Sequence, residues 1–219
     1  IKYILNYGGN MLKGQIISNI SNLYQVEIDN RIVECVPRGK IKQTDLSPVV
    51  GDNEEIEELE NEKDRGVIRN TLDRSMHSKR PKMANLTQII LVVSLKSPKV
   101  DYMLLDKQLA YAEYLNIKPI ICINKIDIGK EEELKCICDV YSKIGYKVVT
   151  NEDKNKFREI LKNKITVLTG QSGAGKSSLL NFLDSSLDLK TDEISLALNR
   201  GKHTTRHTEL YEVMDGFIV

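Results

Sequence analysis

The stretch ITVLTGQSGAGKSSLLNFL, residues 165–183, decides the fold. Ile165 to Leu168 reads as a buried strand, and KSSLLNFL, from Lys176, reads as a helix. Between them stands Gly-x-x-x-x-Gly-Lys-Ser, the pattern of a phosphate-binding loop in the context that pattern requires. Gly170, Gln171, Ser172, Gly173, Ala174 and Gly175 can curl so that successive N–H groups point inward at phosphate oxygens. The helix opened by Lys176, Ser177 and Ser178 presents its positive end to the same anion. Lys176 is expected to bridge the terminal phosphates and the Ser177 hydroxyl to ligate Mg²⁺. A glycine-rich turn without a ligand is the competing account, and it leaves the strand, loop and helix in register unexplained.

Upstream lies PIICINKIDIGK, Pro119 to Lys130, with the tetrad Asn124, Lys125, Ile126, Asp127 at the end of a second apolar run. Four residues with one free position are a weak signal alone. Their place at the carboxyl end of a predicted parallel strand strengthens them, because open α/β sheets bind ligands there. Asp127 can accept from both N1–H and the N2 amino group of guanine, and adenine offers neither donor on that edge. Asn124 can address the other edge, and the aliphatic stem of Lys125 can lie over the ring. A carboxylate buried without these donors would cost several kcal/mol, so the site should reject ATP.

In an ordinary GTPase the phosphate loop precedes the base reader, and here the order is reversed. A sheet can keep its spatial arrangement while the chain enters at the base-reading half, so a circular permutation accounts for both motifs. The rest of the second half agrees. Gln88–Leu95, Pro119–Asn124, Tyr146–Thr150 and Ile165–Gly170 are continuous apolar strands, alternating with helical stretches marked by Leu104, Leu105, Leu109, Ala112 and Leu115 and by the segments from Lys130 and Asp153. This is a mostly parallel, doubly covered sheet.

From Gly14 to about Leu72 the period is two instead. Tyr24, Val26 and Ile28 alternate with polar residues, Asp29–Asn30 supplies a tight turn, and Val33 and Cys35 resume the pattern. With GQIIS before and apolar runs near Val49 and Val67 after, five strands fit a small barrel such as an OB-fold, an SH3-like barrel being the nearest alternative. The organisation expected is therefore an added or upstream extension over 1–10, an OB-fold over 11–75, a linker over 76–82 and a GTPase domain over 83–219. Asp215–Gly216 is expected to turn a hairpin between ELYEV and FIV.

Composition bounds the class. Charged residues make up 29% and hydrophobic residues 41%, ordinary for a soluble globular chain, and no apolar run is long enough to cross a membrane. The expected compartment is the cytoplasm, and the expected state a monomer. Cys35, Cys122, Cys136 and Cys138 lack zinc-ribbon spacing and read as incidental thiols. A net charge of +1 hides an uneven distribution. Asp52 to Asp64 is strongly acidic, whereas RGKIK and RSMHSKRPK are basic; solvated loops on opposite faces account for these stretches as well as an RNA contact does. Those basic stretches make Arg38, Lys40, Lys42, Arg74, Lys79 and Arg80 the candidate RNA contacts. Tyr24 is the clearest aromatic for stacking on a base.

Taken with VECVPRGKIK, VVGD, RPKMANLTQIILVVS and GKHTTRHTEL, the motifs resemble those of the circularly permuted GTPases of small-ribosomal-subunit biogenesis, the RsgA/YjeQ (EngC) type, in the same permuted order. The segment NRGKHTTRH, Asn199 to His207, stands where a first switch belongs, so Thr204 or Thr205 can place a hydroxyl on Mg²⁺ and the γ-phosphate. The resemblance implies that His203 orients the attacking water. It implies a GTP-hydrolysing factor for late assembly of the small (30S) subunit, taking GTP and yielding GDP with Mg²⁺, and binding rRNA through the OB-fold. Thr87 departs from the acidic residue that family commonly has, and TNEDKN from Thr150 stands where the family has a Ser/Ala-containing base-supporting turn, so Thr150 and Asn151 are the base-side candidates the resemblance implies. The family continues into an Asp-x-x-Gly loop and a zinc domain, which the 219 residues do not include. Hydrolysis is therefore expected to be weaker than binding, with zinc confined to the missing domain. Two other readings stand beside this one: a permuted GTPase acting on the large subunit or another RNP, which would usually lack the β-rich start, and an RNA-binding module with an inactive nucleotide fold.

Overall fold

A computed structural model describes residues 11–39, 47–59, 62, 64–79, 82–187 and 209–219. They fall into two compact units. One runs to Asn85 and also takes Glu209 and Leu210; the other runs from Leu86 and takes Tyr211–Val219.

In the first unit, β1 (Met11–Ile20), β2 (Leu23–Ile28), β3 (Arg31–Pro37), β4 (Asn53–Glu58) and β5 (Arg65–Thr71) close into a barrel of order β1-β2-β3-β5-β4. Asp29 and Asn30 both have positive φ, 47° and 65°, the conformation a two-residue hairpin turn demands. The period-two pattern buries Val26, Val33, Ile56 and Ile68 completely. Each such side chain contributes on the order of 1.5–3 kcal/mol by leaving water.

The fourth strand corrects two expectations. It lies in the acidic stretch read as a solvated loop, not near Val49, whose N–H instead donates to Asp52 Oδ2 at 2.7 Å within a turn. One inward isoleucine, Ile56, among four glutamates carries the strand. Glu57 accepts from Arg69, and Glu54 accepts through Oε1 from the Thr71 hydroxyl at 3.2 Å, while its buried Oε2 has no partner among the described residues. The stretch read as a linker holds part of a short antiparallel hairpin, β6 (His77–Lys79) with β7 (Lys82–Ala84). Far along the chain, Glu209 bridges Ser18, and the Leu210 N–H donates to Ile17 O at 2.8 Å.

The second unit comprises β8 (Gln88–Ser94), α1 (Tyr102–Tyr114), β9 (Lys118–Asn124), α2 (Glu131–Lys143), β10 (Lys147–Thr150), α3 (Lys154–Leu161), β11 (Ile165–Thr169), α4 (Lys176–Leu183), β12 (Tyr211–Val213) and β13 (Gly216–Ile218). The sheet order is β10-β9-β8-β11-β13-β12, parallel up to β13, with β12 antiparallel at the edge. Successive residues of β8 feed opposite cores, Ile90 and Val92 packing with Phe157, Leu179 and Leu183, and Leu91 and Val93 with Leu105, Leu109 and Ile137. That is why the strand is apolar without alternation. The turn between β12 and β13 falls on Met214 and Asp215, with φ 51° and 62°, one residue earlier than expected. Among the described residues no helix is long and apolar enough to cross a membrane.

Candidate functional site

Because β9, β8 and β11 are parallel neighbours, their carboxyl ends share one rim, with β8 between the two strands that deliver the sequence motifs. The glycines of the loop after β11 answer to specific neighbours. Gly170 has φ 147°, and a Cβ there would sit 2.1 Å from Val92 O on β8; Gly175 has φ 94°, and a Cβ there would sit 2.1 Å from Asn124 Nδ2. Any larger residue would force the loop off the strand ends or break its fit to Asn124.

Lys176 opens α4 and folds back over the loop, its Nζ donating to Gly170 O and Gln171 O at 3.0 Å each. Burial pushes its pKa down, since the ammonium stands in a partly dehydrated position. Phosphate oxygens arriving there would meet a cation already aimed at the loop's mouth. Ser177, buried in the first turn, follows directly.

The base-reading tetrad is physically tied to this loop. Asn124 Nδ2 donates to Ala174 O at 2.9 Å and to Gly175 O at 3.1 Å, while its Oδ1 accepts from the Lys125 N–H at 2.8 Å. Both amide hydrogens thus have acceptors in the phosphate loop, so Asn124 braces the base-reading tetrad against it. Lys125, at φ 57°, donates from Nζ to Gly173 O at 2.8 Å and to Ser97 O. Its stem is thereby stretched across the rim. Asp127 makes no hydrogen bond or ion pair among the described residues and is exposed. The desolvation penalty expected of a buried carboxylate therefore arises only once a base covers it.

On the neighbouring strand, Thr150 stands opposite Ile123, and the Asn151 N–H donates to Ile123 O at 3.1 Å, placing Asn151 level with Asn124. Its buried Oδ1 has no partner among the described residues. An acceptor left so suits a ligand donor or a water. Sequence reasoning did not find Ser97, whose carbonyl takes the Lys125 ammonium, nor Gln108 on α1, which donates to Thr169 Oγ1 at 3.4 Å. Both act across long sequence separations, and no local pattern marks them.

Two candidate RNA contacts change role. Arg74 is 11% exposed, donating from Nε to Asp52 Oδ1 and from NH2 to Asp52 Oδ2, each at 2.6 Å, and from NH2 to Ser47 O at 2.9 Å. This guanidinium is committed to a buried carboxylate. Tyr24 is 4% exposed and donates its hydroxyl to Pro48 O at 3.3 Å, so its ring cannot stack on a base. Arg38, at the end of β3, is exposed. Lys40, Lys42, Arg80, His203, Thr204 and Thr205 lie outside the described residues, as does the side chain of Lys79. The described residues contain no cluster of three or more His, Cys, Asp or Glu that could hold a metal, and of the three candidate Mg²⁺ ligands only Ser177 is among them.

Comparison with known proteins agrees with this geometry. The family described as RsgA GTPase matches residues 65–219, and that described as RsgA N-terminal domain matches residues 13–68. The small ribosomal subunit biogenesis GTPase RsgA of Clostridium kluyveri is 41% identical over 213 residues, spanning 95% of this chain and 73% of the relative. The Listeria monocytogenes protein of the same description, RsgA 1, is 44% identical over 214 residues with the same coverage. Among solved structures, YjeQ from Thermotoga maritima superposes with a TM-score of 0.79 at 30% identity, covering 95% of this chain and 73% of that one. YloQ, described as a circularly permuted GTPase, superposes with a TM-score of 0.76 at 27% identity, covering 97% and 71%.

Proposed function

The chain belongs to the RsgA family of circularly permuted GTPases of small-ribosomal-subunit biogenesis, and on that premise we propose that it binds GTP across the rim of β9, β8 and β11 and hydrolyses it to time late assembly of the 30S subunit. The observation that carries this reading is the set of bonds from Asn124 and Lys125 to the carbonyls of Gly173, Ala174 and Gly175. Two motifs in reversed order along the chain are held as one site.

In the proposed complex Asp127 accepts from N1–H and N2 of guanine, and the Lys125 stem covers the ring. Asn151 lends an acceptor beside it, next to Thr150. The amides from Gly170 to Gly175 and the Lys176 ammonium take the phosphates, with Ser178 in the following turn. Preorganised donors of this kind stabilise charge as it develops, and cost no reorganisation at the moment of reaction. Mg²⁺, held by the Ser177 hydroxyl and phosphate oxygens, would supply charge neutralisation on the transferring group. His203 would orient water, and Thr204 or Thr205 would report the γ-phosphate. The barrel, residues 11–75, would grip rRNA with Arg38, Lys40 and Lys42 as its cationic contacts, and Lys79 and Arg80 of the following stretch 76–82 would add to them; Arg74 is excluded by its pairing with Asp52.

Phosphate release from GTP, followed with and without purified small subunits, tests the reading. The rate should rise on adding subunits, and Lys176→Ala should abolish it while leaving the circular dichroism spectrum unchanged. Equal rates with and without subunits would contradict the proposal.

A further inference from the structure

The segment KNKFREILKNK, residues 154–164, carries five cations and one carboxylate. It forms α3 and the turn into β11. Phe157, Ile160 and Leu161 face inward and pack in one core with Ile120 and Leu179. That leaves Lys154, Arg158 and Lys162 four residues apart, one per turn, and the bond from the Lys162 N–H to Arg158 O at 3.1 Å carries the row to its third member. Eight residues at about 1.5 Å each make the row about 12 Å long. All three are exposed, as is Lys164 beyond them, and none of the four makes an ion pair among the described residues. The segment's carboxylate, Glu159, stands about 100° round the helix from Arg158. Asp153 is taken by Lys156 at 3.2 Å, and Asp184 by the Ser186 hydroxyl at 2.6 Å, with only a small further pull from Lys154.

Folding does not account for this row. In α2, Glu131, Glu132 and Glu133 open the helix and Lys143 closes it, the order the helix dipole favours. The first turn of α3 holds no acid, and Lys154 stands there against the dipole. Arg158 and Lys162 suit the far end, yet cations four residues apart repel one another. A ligand with its own negative charge along the row would relieve that repulsion. Such a ligand finds no apolar seat here: among the described residues 151–187 the one exposed large hydrophobic side chain is Phe182, and the Lys154 ammonium already lies over its ring, 5.7 Å from the centre. Protein interfaces bury an apolar core and are depleted in lysine, which disfavours an acidic protein. Single-stranded RNA is held on free aromatic faces that stack its bases, and the ring here is engaged. The phosphate backbone of a duplex needs charge alone.

We infer that Lys154, Arg158, Lys162 and Lys164 form a duplex-RNA docking face on the GTPase unit, their charged groups meeting phosphates of a helical segment of rRNA. Contact is to the backbone, so binding there is independent of sequence and weakened by salt. The face goes beyond the proposed function, which sets rRNA on the barrel, and rests on it only in taking the duplex from small-subunit rRNA. Lys154 stands three residues after Asn151, on the base side of the nucleotide site. Arg158 and Lys162 lie one and two turns further along, and they are the positions that separate RNA binding from nucleotide binding.

Fluorescence anisotropy with a labelled hairpin duplex of small-subunit rRNA, over a salt series, tests it on the full chain; a single-stranded fragment of equal length and polyglutamate are titrated in parallel. Variants are Arg158→Gln with Lys162→Gln, Arg158→Glu with Lys162→Glu, and Arg38→Glu on the barrel, each also titrated with GDP. GDP affinity should stay unchanged in all three, which shows that the fold is kept. The neutralised pair should weaken duplex binding at least fivefold and reduce the salt slope by about 1.8, two phosphate contacts at roughly 0.9 each, and the reversed pair should weaken it further. A loss under fivefold in the neutralised pair overturns the face, and if Arg38→Glu is impaired at the same time the barrel reading stands. A parent chain that binds GDP but not the duplex overturns both. Polyglutamate bound as tightly as the duplex, and lost with the same substitutions, overturns the choice of RNA, and tighter binding of the single strand overturns the choice of a duplex.

Discussion

Gly175 shows how tightly single residues are specified at this site. Its φ of 94° and the 2.1 Å that would separate a Cβ from Asn124 Nδ2 leave no room for alanine. Gly175→Ala should lower GDP affinity at least tenfold in calorimetric titration while the barrel's unfolding is unchanged; retained affinity would show that the brace to Asn124 is dispensable. A second residue sets a pH dependence. Burial raises the Glu54 carboxyl to about 8, with the Thr71 hydroxyl opposing and the Asp52 carboxylate adding to the rise. The folded state therefore holds a proton that the unfolded chain releases near 4.5. Glu54's contribution to stability is complete below that lower value and is lost as pH climbs toward 8, by an order of a few kcal/mol. Glu54→Gln mimics the protonated acid, so it should raise the melting temperature of the barrel at pH 8 and make little difference at pH 5; a gain equal at both would contradict this. The glycines of the phosphate loop were legible in the sequence because the motif states their purpose. Arg74 and Tyr24 were misread because their partners, Asp52 and Pro48, lie more than twenty residues away, and nothing local marks the pairings.

At the level of elements, legibility followed the period of the apolar residues. β8, β9 and β11 are buried on both faces and read as continuous runs, and α1 to α3 sit where the helical stripes placed them. β4 was hidden because only Ile56 is apolar among its inward positions, the others being glutamates whose partners are supplied by β5. Ile56 is fully buried, so Ile56→Ala should cost about 2–5 kcal/mol in urea unfolding of the barrel. A cost under about 0.5 kcal/mol, typical of surface positions, would mean that Asn53–Glu58 is no strand. The hairpin at Met214–Asp215 was found one residue out of register, since Asp-Gly is a strong turn signal and here the glycine instead begins β13.

Across the whole molecule, the reversed order of motifs is reconciled by sheet topology. β9 and β11 flank β8 in space whatever their order in the chain, so a base reader met first and a phosphate loop met later arrive at one rim. The permutation was readable from motif order alone, whereas the bonds joining Asn124 and Lys125 to the loop carbonyls required coordinates. The central claim is that one guanosine nucleotide spans Asp127 and Lys176. Calorimetric titration of the parent chain and of Asp127→Asn with GDP and with xanthosine diphosphate tests it most directly. The parent should prefer GDP by about a hundredfold, and the variant should reverse that preference, because an amide can donate to the xanthine carbonyl where the carboxylate accepted from the guanine amine. A variant that keeps full affinity for GDP and gains none for xanthosine diphosphate would show that Asp127 does not touch the base.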